Sequence, residues 1–364
     1  MNIKKIVVQD FRNIVLQELE FCPNINCISG NNGEGKTNLM DAIWYLSMTK
    51  SAFSASDRFN FRYGCGRFAL SGLYGMPSGP DTRISIQVDE GGKKVKRDDK
   101  AYAKLSDHIG LLPVVMVSPS DVAMVSESGE ERRRFCNAVL SQISGEYLSN
   151  VQNYSRLLQQ RNALLKKGQP DFQLMDVLDS RLASYAVPVY EMRRRFAEEI
   201  SPLAGEYYAR ISGGRETVDI SYKSDLDRGP LTELMRKNRE KDTILKYTTT
   251  GIQRDDFLFT MNGWPIRKCG SQGQQKSFLV ALKFAQYHLM TQRKGFAPIL
   301  LLDDLFDKLD MGRVQNLLSM VAGTDFGQIF LSDSNKVRLS GIVDGITSER
   351  TYYEAKGGVF TPNE

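Results

Sequence analysis

The sequence holds few of the residues that build metal centres or covalent staples. Its 364 residues include two histidines, His108 and His288, and five cysteines, Cys22, Cys27, Cys65, Cys136 and Cys269. The histidines lie far apart, without a metal-ligand neighbour at useful spacing. The cysteine count is odd and no pair is spaced as C-x-x-C. Neither a zinc site nor a disulfide framework is expected, and a reducing compartment fits. Also missing is an apolar run of about 18 residues, the length a membrane-spanning helix needs. Behind Lys4 and Lys5, the polar residues Gln9, Asp10 and Arg12 interrupt any apolar core of a secretory signal. The expectation is a cytoplasmic protein with no membrane partner. Charge of one sign is scarce too: 48 Lys and Arg stand against 43 Asp and Glu, a net charge of +5. That excess permits a nucleic-acid partner without demanding one. Internal repeats and low-complexity tracts are lacking. At about 150 residues per domain, the length suggests two domains or three.

What is present is an alternation of strands and helices. Residues 3–8 read as a strand. Residues 25–28 form a second apolar run that ends at Gly30. A glycine-rich loop follows, then an apolar-periodic segment with Leu39, Ile43, Trp44 and Leu46, so the order is strand, loop, helix. Between Phe68 and Arg97 the pattern alternates through Ile84, Ile86 and Val88, with Glu90-Gly91-Gly92 as a turn, which predicts a small antiparallel sheet. Residues 111–117 read as a buried strand stopping at Ser118-Pro119. Residues 128–213 are helical: Tyr147, Val151, Tyr154, Leu158 and Leu165 share one face, and Tyr185, Val189, Met192, Phe196 and Ile200 another. Pro188 kinks or breaks the second helix. Two helices of about 30 residues would project about 45 Å, an arm rather than a long coiled coil. Strand signals return at 218–222 and around the Asn262-Gly263 hairpin. A helix over 274–291 and strands at 299–302 and 328–331 complete the pattern.

Three motifs carry chemistry. Gly30-Asn31-Asn32-Gly33-Glu34-Gly35-Lys36-Thr37 fits G-x-x-x-x-G-K-[ST] in the strand–loop–helix context that motif requires. Its backbone N–H groups and the helix N-terminus would cradle the phosphates of ATP. Lys36 would reach the β- and γ-phosphates, and Thr37 would hold Mg²⁺. Ile299-Leu300-Leu301-Leu302-Asp303-Asp304 reads as a buried parallel strand with carboxylates at the ligand-binding end of the sheet. Asp303 would hold Mg²⁺ through water and Asp304 would orient the attacking water, so Lys36, Asp303 and Asp304 form the expected catalytic set. Ser271-Gln272-Gly273-Gln274-Gln275 opens a helix; alone, it reads as a helix cap.

The order of these three motifs resembles that of ATP-binding-cassette enzymes. There the Ser-x-Gly-Gln turn contacts the γ-phosphate held by a second subunit. The resemblance implies nucleotide contacts from Ser271, Gly273 and Gln274 in an ATP-dependent homodimer. Leu309-Asp310 resembles that family's D-loop, and Ser332-Asp333-Ser334 stands where a γ-phosphate sensor would be. More than 200 residues separate Thr37 from Ser271, far more than in transporter cassettes. A nuclease-fused antiviral ATPase would need a further acidic domain, and a non-hydrolysing structural protein would not need Lys36, Thr37, Asp303 and Asp304 together.

Along nearly its whole length the chain resembles the RecF family of bacterial DNA-repair ATPases. The resemblance is carried by Asp10-Phe11-Arg12-Asn13, by Gln160-Arg161-Asn162-Ala163-Leu164-Leu165-Lys166, by Gly251-Ile252-Gln253-Arg254-Asp255-Asp256, and by the segments at 271–275 and 302–310. It departs at Gln253, where the family usually has His, at Ser120 within Ser118-Pro119-Ser120-Asp121, and in Ser51-Ala52-Phe53-Ser54, which lacks the Arg usual after this helix. The resemblance implies an α/β fold: an ABC-type ATPase head, with a mixed sheet around the phosphate loop and an antiparallel β subdomain, carrying an inserted helical arm. Boundaries are expected at 1–127, 128–245 and 246–364. It also implies DNA as partner, especially single/double-strand junctions, with RecO and RecR, and a role in loading RecA at gaps. Asp304 is one methylene shorter than the Glu of transporter cassettes, which implies slow hydrolysis serving as a switch. Basic clusters, including Lys93-Lys94, Arg132-Arg133 and Arg193-Arg194, are the candidate DNA contacts, expected to be salt-sensitive contacts to phosphates.

Overall fold

The computed structural model describes residues 1–127, 129–167, 171–304, 311–321, 326–345 and 347–363. Fifteen strands are among them: β1 (Asn2–Phe11), β2 (Ile14–Glu20), β3 (Ile25–Ser29), β4 (Arg67–Gly75), β5 (Thr82–Asp89), β6 (Gly92–Arg97), β7 (Lys100–Ala101), β8 (Val114–Val117), β9 (Val218–Lys223), β10 (Asp256–Met261), β11 (Trp264–Pro265), β12 (Ile299–Leu302), β13 (Ile329–Asp333), β14 (Arg350–Lys356) and β15 (Val359–Asn363). The α-helices are α1 (Lys36–Met48), α2 (Ala123–Ser126), α3 (Gly129–Ile143), α4 (Gly145–Lys166), α5 (Phe172–Ser212), α6 (Leu231–Lys237), α7 (Arg239–Leu245), α8 (Ile266–Cys269), α9 (Gln272–Lys294), α10 (Met311–Val321) and α11 (Lys336–Val343).

The central sheet runs β15-β14-β3-β13-β12-β8, parallel throughout except at the β14–β15 hairpin. Strands β3, β8, β12 and β13 are buried on both faces, which is why they read as largely apolar runs. The period-2 alternation sorts their side chains into two cores. Cys27, Val115, Val117, Leu300, Leu302 and Leu331 pack with the arm and α9. Ile28, Val114, Met116, Ile299, Leu301 and Phe330 pack with α1 and a second, antiparallel sheet, β2-β1-β4-β5-β6-β7. Helix α1 is enclosed between the two sheets, and ten of its 13 residues are buried. Gln328 ties the sheets together: its side-chain oxygen accepts from Ile3 N–H at 2.7 Å and its amide donates to the Ile3 and Cys22 carbonyls, each at 2.8 Å. A small third sheet, β11-β10-β9, lies beside α5.

The arm differs in proportion from the two equal helices expected. Helix α4 has 22 residues and α5 has 41, about 60 Å at 1.5 Å per residue. Pro188 and Pro202 both lie inside α5. Each removes one N–H donor, and the carbonyls left without it belong to Ser184 and Glu198, both exposed residues that water reaches. The helix therefore continues where a break was expected.

Arg161, fully buried, holds the arm together. Its guanidinium meets Asp179 of α5 at 2.6 Å, and Asp242 of α7 at 2.7 Å with Thr248 at 2.8 Å. Removing one partner of a buried pair strands the other charge in low dielectric. Arg161→Met should therefore lower unfolding free energy by about 3–5 kcal/mol, read from urea denaturation.

His108 is buried, its Nε2 donating to the Leu46 carbonyl at 2.7 Å and its Nδ1 accepting from Tyr102 Oη at 3.2 Å. Burial lowers its pKa below 6.5, against the smaller opposing effect of the Leu46 hydrogen bond. The unfolded chain binds a proton below pH 6.5 that the folded chain refuses. This group's stability is thus present above that pH and lost as pH falls towards the folded pKa, by at most about 1.4 kcal/mol per unit. Between pH 7 and pH 5.5, His108→Gln should lose less stability than the wild type in parallel denaturation curves.

A candidate phosphate-loop site

Strand β3 ends at Ser29 and the chain turns at once into the loop that opens α1. Three loop glycines have left-handed φ: 150° at Gly30, 86° at Gly33 and 108° at Gly35. Two also admit no side chain. A Cβ on Gly30 would lie 2.4 Å from the Ala355 carbonyl oxygen, and one on Gly35 would lie 2.8 Å from Asn13 Nδ2. The loop is therefore wedged between the turn after β1 and the hairpin at the end of β14. Glu34 is the hinge of that wedge. Its carbonyl accepts from Gly358 N–H at 2.9 Å and from Asn13 Nδ2 at 3.3 Å, and its carboxylate accepts from Gly357 N–H. Asn13 and the Gly357-Gly358 turn had no role assigned from the sequence. Both belong to strands whose place beside the loop only the fold reveals. Arg12 fastens the same turn to α1 through Asn38 at 3.0 Å and Asp41 at 2.6 Å, and it also reaches Ser51 and Ser54. Ser54, within one of the departures from the family pattern, is thus an acceptor for a neighbouring arginine.

Asn31, Asn32 and Gly33 are exposed at the loop's crest, while Lys36 is buried and donates to the carbonyls of Gly30 at 2.6 Å and Asn31 at 3.1 Å. Thr37 Oγ1 donates to Asp303 Oδ2 at 2.7 Å. The other oxygen of Asp303 accepts from Ser332 Oγ at 2.6 Å, and Ser332 in turn accepts from the Asp304 N–H at 3.0 Å. The sheet order β3-β13-β12 is what brings these residues together. Burial raises the pKa of Asp303; hydrogen bonds from Ser332 and Thr37 and the charge of Lys36 pull it back. Asp304 sits in the left-handed region at φ 43°, a conformation that costs a non-glycine residue energy and that is concentrated at functional sites. A ring of loop N–H groups, one lysine and a hydroxyl against a carboxylate fit a nucleoside triphosphate with a divalent cation of Mg²⁺ type, which prefers hard oxygen donors.

The signature turn stands elsewhere. Ser271 caps α9, accepting from Gln274 N–H at 3.3 Å, while Gln274 Oε1 accepts from Ser271 N–H at 2.7 Å and its amide donates to Glu216 at 2.8 Å. Twelve residues further along α9, Lys283 pairs with Asp121, just past the end of β8, at 2.9 Å. Val117 of β8 is level with Leu302 of β12. The Ser271 turn thus lies about 18 Å along α9 from Lys283. Among the described residues no hydrogen bond or ion pair joins Ser271, Gly273 or Gln274 to the phosphate loop; the side chains of Ser271 and Gln274 engage each other and Glu216. Leu309-Asp310 lie outside the described residues.

The candidate DNA contacts divide. Arg193 is 3% exposed and pairs with Asp255 at 2.6 Å; Arg132 is 7% exposed and clamps Asp256 at 2.8 and 3.0 Å. Both are corrected to core residues, because their charge is already met, by the buried Asp255 and the half-buried Asp256. Arg133 donates to the Asp255 carbonyl at 2.8 Å. Lys93 is tied to the Thr49 carbonyl and to Asp57 at 2.9 Å. Only Lys94 and Arg194 are exposed, the latter beside Glu191 at 2.8 Å. Gln253 takes a hydrogen bond from Tyr154 Oη and donates to the Thr250 carbonyl, so it serves the root of the arm. Ser120 Oγ lies 2.7 Å from Ser118 Oγ at the end of β8.

Ser332→Ala removes one of the two side-chain donors to the buried Asp303 carboxylate. It should cost about 1–3 kcal/mol of stability without any ligand present, read by chemical denaturation, whereas Ser332→Thr should recover most of it.

Residues 2–60 match the model of the RecF/RecN/SMC N-terminal domain. A DNA replication and repair protein RecF from Porphyromonas gingivalis is 41% identical over 98% of this chain and 99% of its own length. The RecF of Parabacteroides distasonis is 40% identical over the whole of both chains. A solved structure described as the recombination mediator protein RecF with ATP in the RecFOR pathway superimposes with a TM-score of 0.88 at 26% identity, over 100% of this chain and 99% of that one. The Smc head domain from Pyrococcus furiosus has a TM-score of 0.58 at 15% identity, over 99% of this chain and 95% of that one, a likeness of fold. With two relatives matched from end to end and the phosphate loop in place, the chain belongs to the RecF family of DNA replication and repair proteins.

Proposed function

We propose that this protein is an ATP-switched, dimerising DNA-binding protein of recombinational repair. The observation that supports this best is the pairing of two half-sites on one chain. The Lys36, Thr37, Asp303 and Ser332 cluster is one half, and the Ser271 turn, which among the described residues makes no hydrogen bond to that cluster, is the other. Two copies facing each other would bring each signature turn onto the other's nucleotide. On this reading residues 1–127 and 246–364 make the head and residues 128–245 the arm.

Lys36 exchanges the Gly30 and Asn31 carbonyls for the phosphates of ATP, while the loop N–H groups hold them in place. Thr37 and Asp303 would hold Mg²⁺, which when bound neutralises charge between the β- and γ-phosphates. Asp304 orients the water. Its short side chain holds that water less closely than a glutamate would, so turnover is slow and DNA-stimulated hydrolysis acts as a timer. The protein works in the cytoplasm, binds double-stranded DNA and single/double-strand junctions through backbone phosphates, and with RecO and RecR helps load RecA at gaps. The family membership and the RecFOR pathway of the solved relative favour these partners.

Light scattering tests the switch. The 41.1 kDa chain should double in mass with ATP–Mg²⁺ when Asp304→Asn blocks turnover. Ser271→Arg should bind ATP as the wild type does yet stay monomeric. Lys36→Met should bind ATP at least tenfold more weakly and also stay monomeric. If the Ser271 variant dimerises like wild type, the two-half-site reading fails.

A further inference from the structure

Far along α1 from the phosphate loop, a cleft of about 460 Å³ opens between head and arm. Its walls are the C-terminal end of α1, the short turn Leu105–His108 with Ile109, one face of α3 and one face of α4. That size suits a small-molecule ligand. The lining has two parts. Met48, Leu105, Ile109, Leu148 and Val151 form an apolar floor, and Lys50, Arg133 and Arg134 bring three cations to the same space.

These cations are poorly matched by the protein. Lys50 has no hydrogen-bond or ion-pair partner among the described residues. It is an exposed residue, yet burial of its ammonium lowers its pKa, with the like charges of Arg134 and Lys93 adding to the effect. Arg133 is lowered as well, first by burial and then by Arg193, and it donates only to the Asp255 carbonyl, not to a carboxylate. Arg134 meets Glu131 at 2.8 Å and Glu130 at 3.4 Å, but these are solvent-exposed pairs within one helix, the weakest kind. Glu130 is the one acidic residue in the lining. Positive charge crowded beside an apolar floor lacks the anion that would relieve it. Ser141 and Gln152 add hydrogen-bonding groups to the wall, beside Asn137, whose Oδ1 already accepts from Tyr147 and Arg193. A purely aliphatic anion would leave these unmatched; a flat heterocycle with polar edges would not.

We propose that this cleft is a second ligand site that takes one nucleoside monophosphate unit, its phosphate against Lys50 and Arg134 and its base over the apolar floor. The unit is either a free nucleotide or one residue of a single strand of DNA; the chemistry is the same. The site is separate from the phosphate loop and does not depend on the two-half-site reading.

Equilibrium dialysis of the full chain with radiolabelled deoxyadenosine monophosphate tests it, with the phosphate loop filled by ATPγS–Mg²⁺. ATPγS uptake in the same cells reports the phosphate loop separately, so a failure there is not mistaken for a failure here. If the ligand is the free nucleotide, about one equivalent should bind. Lys50→Gln and Arg134→Gln should each weaken it at least fivefold, and Leu148→Trp, which fills the floor and leaves the charges in place, should abolish it. If the ligand is a strand residue, a 20-residue oligothymidylate should bind at least tenfold more tightly than the monophosphate. The same two charge substitutions should then each lower the log–log salt slope for a 20-residue oligothymidylate by about 0.7. Wild-type behaviour of all three variants in both assays, with unchanged melting curves, overturns the proposal.

Discussion

The carboxylate of Asp303 is the joint on which the head depends. It accepts Thr37 from the start of α1 and Ser332 from β13, while its own N–H bonds the Val117 carbonyl of β8. Three strands and the loop helix are thereby set at fixed heights relative to one carboxylate. Burial works against its charge, and two hydroxyl donors and the Lys36 ammonium work for it. A buried charge balanced this closely rewards only the arrangement that supplies every partner, so the hub enforces the geometry of the site as well as joining its parts. Asp304, next in sequence, takes up the cost of the sharp exit from the strand in its left-handed backbone.

Beyond the hub, the molecule is two cores sharing one sheet. Alternate residues of β3, β8, β12 and β13 belong to opposite cores. A change in packing on the arm side is therefore one side chain away from α1. The arm's root is tied to β10 by charge: Arg132 to Asp256 and Arg193 to Asp255. Tyr222 also donates to Asp255. Glu216, between α5 and β9, holds Gln274 of the signature turn. Arm and signature turn are thus both tied to the strands β9 and β10 and the segments that lead into them.

The sequence made some of this legible and hid the rest, for physical reasons. The phosphate loop and the Asp303-Asp304 strand end were readable because each is one contiguous segment whose chemistry is local. Strand β12 was located at the residues where it lies, since a doubly buried strand is an unbroken apolar run. Strands β2, β14 and β15 were missed because none carries a strict alternation or an unbroken apolar run: they read IVLQELE, RTYYEAK and VFTPN. Arg132 and Arg193 were misread for a different reason. A run such as Arg132-Arg133-Arg134 looks like a solvated or DNA-facing patch. The acids that neutralise Arg132 and Arg193 lie 124 and 62 residues away in sequence. The arm's second helix was read as about 30 residues with a kink or break at Pro188, whereas it runs through Pro188 and Pro202 to 41 residues.

The link between Ile3 and Gln328 spans 325 positions, and the Gly357-Gly358 turn closes on a loop more than 320 residues earlier. The arm's own contacts, such as Arg161 with Asp179 and Asp242, span 18 and 81. Closing long loops is entropically expensive and slow, while local helical contacts form fast. As the chain leaves the ribosome, the arm's helices can therefore pair while β1 and the phosphate loop still wait for β12, β13 and β14. During synthesis the unpaired edge of β3 is the exposed, aggregation-prone surface, and it is the last strands made that cover it.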